Sequence, residues 1–292
     1  MVHWVREREL VRIRKESGEA PPWTSDPIIS SYRFCNVRRE DDRVTAWVRK
    51  NVREPFAGHP YLWLMLCICR QINWPDTLEE MIQNDAWPSH PGFDPAARRM
   101  IHGSGASSIR EVLESRKARG EKVYTGAYMV PAPPTKIPKE RYMAETVFGG
   151  LWGRRETFPG GSVEAVHSWL TQTNGWGNFM AYQACVDMIF TPILGSAPDR
   201  SSWCAAGPGT VRGLNRIHGR AVDHPLSQDR ARDEVRALYG TIQSETGVAM
   251  DFTDVPNVMC ETDKYLRVLN GEGKPRAGYS PEARTAAVDV FR

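Results

Sequence analysis

The chain has no long apolar run. Crossing a bilayer takes about 20 consecutive apolar residues, and the longest candidate, Tyr61–Cys69, stops at Arg70. No membrane partner is expected. The first ten residues, Met1-Val-His-Trp-Val-Arg-Glu-Arg-Glu-Leu10, hold no apolar signal core, so an intracellular protein is expected. Cysteine is sparse and unpaired. The six thiols, at 35, 67, 69, 185, 204 and 260, form no Cys-x-x-Cys, and no His-Glu-x-x-His occurs. Free thiols, no metal site and no cofactor are the expectation. A strong charge of either sign is also missing. The net charge of +3 neither demands nor excludes nucleic acid.

Several nucleotide and hydrolase signatures are absent too. There is no Gly-x-x-x-x-Gly-Lys-[Ser/Thr], which argues against ATP chemistry of the phosphate-loop kind. No Gly-x-Gly-x-x-Gly follows a strand pattern, and no Gly-x-Ser-x-Gly elbow is present. What the chain does have is 41% hydrophobic and 25% charged residues over 292 positions. That is ordinary for a globular protein with a substantial core. Arginine supplies most of the 38 basic residues and can grip phosphate with two parallel hydrogen bonds. A coding bias toward arginine explains the same excess.

Helical periodicity dominates. Residues 4–16, 36–53, 60–73, 107–119, 141–148, 162–172, 178–190 and 229–245 read as helices. Thr77 with Glu80 reads as a capping box, and Ser162 and Asp229 as caps. Lys122–Thr125 is the one short strand pattern. Prolines at 131, 133, 134 and 138 mark a connection that could join two lobes. The expected fold class is mainly α. The expected organisation is an N-terminal basic helix and loop over 1–30 and a helical domain over 31–292.

Four segments carry chemistry. In Thr173–Asp187, Gly175 and Gly177 bracket Trp176 between two helices, the pattern of a helix-hairpin-helix. Its exposed amides at a helix N-terminus can receive a DNA phosphate, although such turns also join helices with no ligand. Tyr182, Gln183 and Asp187 follow on the second helix. Gln183 and Asp187 share a face, which an ordinary intrahelical hydrogen bond would also explain. In Trp203–Leu214, Gly207, Pro208 and Gly209 permit close backbone approach to a ligand, and Arg212 sits a turn later. A plain loop entering a helix is the competing reading. In Asn36–Arg43, Asn36, Arg39 and Arg43 fall on one helical stripe, where the arginines could meet one phosphate or be closed internally by Asp42. In Cys260–Arg267, Glu261 pairs with Lys264 and Asp263 with Arg267 at helical spacing, as a solvated ion-pair face would.

In order and spacing, these segments resemble the bacteriophage α-glutamyl/putrescinyl thymine pyrophosphorylases, or amino acid:DNA transferases. Their helical domain is also found joined to 5-hydroxymethyluracil DNA kinases. The resembling stretches are Tyr32–Val44, Tyr124-Thr-Gly-Ala-Tyr-Met129, Gly175-Trp-Gly-Asn-Phe-Met-Ala-Tyr-Gln183, Ala206–Leu214 and Met259–Tyr265 with Gly271–Arg276. Residues 1–30 and the stretch near 220–250 lie outside the likeness.

The resemblance implies a fold related to the helix-hairpin-helix DNA glycosylases. It also implies DNA carrying phosphorylated 5-hydroxymethyluracil as a partner, made by an upstream DNA-base kinase. A free amino acid or amine would replace the phosphate or pyrophosphate and hypermodify thymine in the cytoplasm of the infected bacterial host. The implied catalytic set is Asn36, Arg39, Asp42, Arg43, Asp187, Glu261 and Lys264. Gly175, Gly177, Tyr182, Gln183, Gly207, Pro208, Gly209 and Arg212 would bind DNA or base. The catalytic Asp of the glycosylases falls in register with Ala205, Ala206 and Gly207, the nearest acid being Asp199. That departure argues against N-glycosidic cleavage. A glycosylase for modified bases and a non-catalytic DNA-binding partner remain the alternatives.

Overall fold

The structure is a computed structural model, described here for residues 1–96, 108–125, 133, 136–275 and 278–279. Among the described residues it is helical throughout. In chain order the helices are α1 (Val2–Glu16), α2 (Pro27–Ser31), α3 (Arg43–Val48), α4 (Leu62–Ile72), α5 (Pro75–Gln83), α6 (Ile109–Ala118), α7 (Lys139–Tyr142), α8 (Gly149–Gly153), α9 (Val163–Thr171), α10 (Asn178–Ile189), α11 (Pro208–Ile217), α12 (Gln228–Thr246) and α13 (Asp254–Leu269). Short 3-10 turns lie at Arg39–Asp41 and Arg155–Thr157, and wide π turns at Arg49–Arg53 and Met143–Phe148. The mainly α expectation holds. The described residues contain no strand, only an isolated antiparallel bridge between Tyr32 and Gly278. No helix among them is long and apolar enough to cross a membrane.

The chain forms two compact units. Residues 1–42 and 204–292 make one, and residues 43–203 the other. The proline-rich stretch near 130–140 falls inside the second unit. Only part of that stretch lies among the described residues, as is true of Tyr124–Met129.

In the first unit, α13 packs against α11, α12, α1 and α2. The α11–α13 approach is set by glycine. A Cβ on Gly213 would lie 2.2 Å from the Met259 carbonyl oxygen, and one on Gly209 would lie 2.4 Å from the Cys260 Sγ. A side chain on Gly213 would push the two backbones apart, and one on Gly209 would displace the Cys260 side chain.

In the second unit, every residue of α4 is buried, and α4 packs on α10, which pairs with α9 as a hairpin. Arg70 lies within that buried helix and is neutralised by Asp187 of α10. Its Nη2 donates to Asp187 Oδ1 at 2.6 Å and to Thr45 Oγ1 at 3.0 Å, and Nη1 donates to Asn73 Oδ1 at 3.2 Å. A buried ion pair is tolerable only when its remaining hydrogen-bonding groups are also satisfied.

Four local expectations are corrected. Residues 36–53 are not one helix, because Asp42 is extended (φ −74°, ψ 134°) and separates the 3-10 turn from α3. Thr77 is not a cap. α5 starts two residues earlier on Pro75, and the Thr77 hydroxyl donates to the Val123 carbonyl at 2.9 Å. That long-range bond, with the Thr125 amide donating to the Ile72 carbonyl at 3.3 Å, holds 122–125 as irregular chain rather than a strand. The cap of α12 is Ser227 rather than Asp229, its hydroxyl accepting from the Arg230 amide. Ser162 does cap α9.

The glycine argument is testable by urea unfolding. Gly213→Ala is expected to destabilise by about 1–3 kcal/mol through overpacking. Gly240→Ala lies in α12 with nothing within 4 Å of the added methyl and is expected to stabilise by up to about 1 kcal/mol. Equal effects would show that helix approach does not depend on Gly213.

Candidate active site

The site in the first unit begins with a helical stripe. Asp254, Asn257, Glu261 and Lys264 recur every three or four residues along α13, so they share a face. Asp254 and Glu261 are buried, and buried carboxylates need donors. The stretch after α2 supplies them from its backbone. The Cys35 amide donates to Glu261 Oε2 at 3.1 Å, and the Arg39 amide to Asp254 Oδ1 at 2.9 Å. Asn257 Nδ2 donates to the Asn36 carbonyl at 3.4 Å. These bonds hold the stretch along α13, and α-helix begins only after the extended Asp42.

Asn36 organises the rest. Its amide donates to Asp42 Oδ1 at 3.0 Å and its Nδ2 to the Asp41 carbonyl at 2.7 Å, while its Oδ1 accepts from Arg8 Nη2 at 2.5 Å. Arg8 Nε also donates to the Cys35 carbonyl at 3.0 Å. Lys264 Nζ pairs with Glu261 Oε2 at 2.6 Å and sits 4.9 Å from the centre of the Phe34 ring. Four of the expected site residues, Asn36, Asp42, Glu261 and Lys264, therefore lie in one cluster.

Burial pushes the Asp42 carboxyl up to about 6, against the pull of the Asn36 amide, Arg39 and Arg8. Burial likewise pushes Asp254 up to about 7. The two acids differ in use. Both oxygens of Asp254 are taken by backbone amides, of Arg39 and Asp251, so it is a fastener. Asp42 Oδ1 accepts from Asn36, and Oδ2 has no hydrogen-bond partner among the described residues. Asp42 thus combines a raised carboxyl with one oxygen not engaged by a donor among the described residues. The Glu261 charge holds the Cys35 thiol well above its ordinary value, so Cys35 is not an activated nucleophile.

Of the other expected residues, Arg39 is buried in its 3-10 turn and its charge acts on Asp42, whereas Arg43 is exposed at the start of α3 in the second unit. The two share no helical stripe, because Asp42 breaks it. Arg212 donates to Asp263 Oδ2 at 2.8 Å, and Arg216 takes the other oxygen at 2.8 Å. Asp263 thus pairs with α11 rather than with Arg267. Gly207 caps α11, Pro208 is its first residue, and Gly209 serves the α11–α13 approach; helix packing accounts for that triplet without a ligand.

In the second unit, Gly175 has φ +87°, and an added Cβ would lie 2.5 Å from Val147 Cγ2. Gly177 is the N-cap of α10, which no side chain caps. Tyr182 is buried and Gln183 half-buried. Asp187 is committed to Arg70 and is not placed as a base. Asp199 accepts from the Val163 and Glu164 amides at 2.8 and 3.0 Å, so both its oxygens cap α9.

Two members of the cluster escaped the sequence reading, Arg8 and Asp254. Arg8 had a signal. It lies four residues after Trp4 and three before Val11, both buried, so it shares the inward face of α1. Asp254 lies seven residues before Glu261, two turns along the same stripe.

The model of the 5-hmdU DNA kinase helical domain matches residues 1–274. The chain belongs to that family. A 5-hmdU DNA kinase of Bacillus phage SP10 is 28% identical over 234 residues, covering 72% of this chain and 34% of the relative. The chain thus spans about a third of that relative's length. No solved structure matches.

The raised carboxyls set a pH signature. Folded Asp42 and Asp254 hold protons that the unfolded chain, titrating near 3.8, has already lost. Their contribution to stability is full below about pH 4 and is lost as pH rises through 6 to 7. Asp42→Asn removes one such proton. Its stability relative to the parent should rise between pH 4 and 6, by at most about 1.4 kcal/mol per pH unit, and level off above 7. Parallel stability curves for the two proteins would show that Asp42 titrates normally.

Proposed function

We propose that this protein is a transferase that replaces the phosphate or pyrophosphate on phosphorylated 5-hydroxymethyluracil in DNA with an amino acid or amine. The observation that carries this reading is the convergence of Asn36, Asp42, Glu261 and Lys264 in one unit, with Asp42 held near neutrality. Family membership supports a base of this kind, since the relative is a 5-hmdU DNA kinase.

In this reading the new C–N bond forms at the 5-methylene carbon as the C–O bond breaks, and the bonding pair leaves on the phosphate oxygen. The pyrimidine shares the positive charge that develops on the methylene. The proton shed by the amine goes to Asp42, or to Glu261 beside it. Arg39, Lys264 and Arg212 offset the charge of the departing group. The first turn of α10, which no side chain caps, offers backbone amides to a DNA phosphate.

A glycosylase reading is disfavoured by Asp199. Both its oxygens are spent on α9, and a carboxylate needed to steady a cationic sugar must face the sugar.

The test is mass analysis of nucleosides from 5-phosphomethyluracil DNA incubated with the protein and all amino acids. A new nucleoside with an amine in place of the phosphate is expected, with no abasic sites. Asp42→Asn should lower its rate by about 10²-fold or more. Alkali-labile breaks at the target base, or DNA returned unchanged, would overturn the reading.

A further inference from the structure

Arg8 has an unexplained donor. Its guanidinium is anchored on two sides, Nε to the Cys35 carbonyl and Nη2 to Asn36. Its Nη1 is buried and has no hydrogen-bond partner among the described residues. A buried guanidinium nitrogen without an acceptor costs stability, and native proteins rarely keep one without a use. Burial also pulls the Arg8 guanidinium below its ordinary value, while Asp42 and Glu261 pull it back. The missing partner is therefore an acceptor, and an anionic one would form the strongest bond.

The surroundings decide which anion. Asp42 and Glu261 both lie close enough to act on Arg8, and Lys264 is paired to Glu261. A phosphate at Nη1 would bring up to two further negative charges beside two carboxylates. A zwitterion brings none. Its carboxylate can face Arg8 and its ammonium can face Asp42 and Glu261. A diamine has nothing to offer Nη1 and would leave it unpaired. Around the buried Nη1, Cys35 is exposed and Lys264 keeps 24% of its side-chain surface, so the cluster borders solvent.

We propose that Arg8 is the carboxylate-recognising residue of the site, so that the amine donor is an α-amino acid and not a polyamine. This inference rests on the transferase reading for its biological role, but not for its binding test. Arg8 orients the donor, and Asp42 then faces the amine that must lose a proton.

The experiment is equilibrium dialysis of the intact protein with radiolabelled glycine and glutamate. Unlabelled glycinamide, putrescine and inorganic phosphate serve as competitors. At least one amino acid should bind about tenfold or more tightly than glycinamide or putrescine, the difference one charge-assisted hydrogen bond makes. Arg8→Gln and Arg8→Lys should each lose that preference. Displacement of amino acid by glycinamide or putrescine at equal concentration would overturn the inference. Displacement by phosphate alone would overturn it too, and assign Nη1 to the phosphate. If the Arg8 variants do not fold, the glycine-against-glycinamide comparison on the unaltered protein still decides. Carboxylate-selective binding with no transfer to DNA would uphold this inference and sink the transferase reading. Transfer of putrescine as readily as any amino acid would do the reverse.

Discussion

The first unit depends on the need of buried carboxylates for donors. Asp254, Glu261 and Asp263 on α13 are 3%, 5% and 2% exposed, and none could stay charged there unpaired. Their donors come from far along the chain. Backbone amides at 35 and 39 serve Glu261 and Asp254, and the guanidiniums of Arg212 and Arg216 serve Asp263. These bonds tie the segment that follows α2 to a helix more than 200 residues later. They also explain an irregular stretch that hydrophobic spacing alone would have made helical.

The same constraint also sets apart two carboxylates of the cluster. Laying residues 33–42 along α13 puts Asp42 into a poorly hydrated setting with a single amide bond, which raises its carboxyl toward neutrality. Asp254 shares the burial but is closed by two amides. A fastener and a candidate proton carrier therefore arise from one packing event and differ in how many oxygens are engaged. Arg8 enters from α1 and is shared among a carbonyl, an amide side chain and the field of two carboxylates.

The second unit solves a similar problem in a different way. α4 is buried along its whole length and apolar except for Arg70 and Gln71; Asp187 closes the Arg70 charge with Thr45 and Asn73, and Gln71 donates to the Gly175 carbonyl. An acid that reads from sequence as catalytic thus has structural work. The turn between α9 and α10 has Gly175 at positive φ and Gly177 as an N-cap without a capping side chain.

What the sequence by itself determined is local. Apolar spacing placed α1, α4, α6, α9, α10 and α12 within a few residues of their positions, because each helix buries one face or all of itself and 3.6-residue periodicity records which. Gly175 marked the turn between α9 and α10, because its positive φ favours glycine. Asn36, Asp42, Glu261 and Lys264 were legible as candidates through the family likeness of their segments. Only the tertiary structure decided that these four meet, and that Asp187 is paired with Arg70. It also decided that Asp263 pairs with α11 and that Gly209 and Gly213 serve helix approach. The physical reason is that a carboxylate's role is set by its burial and its donors, and those donors come from segments whose distance along the chain leaves no periodic trace.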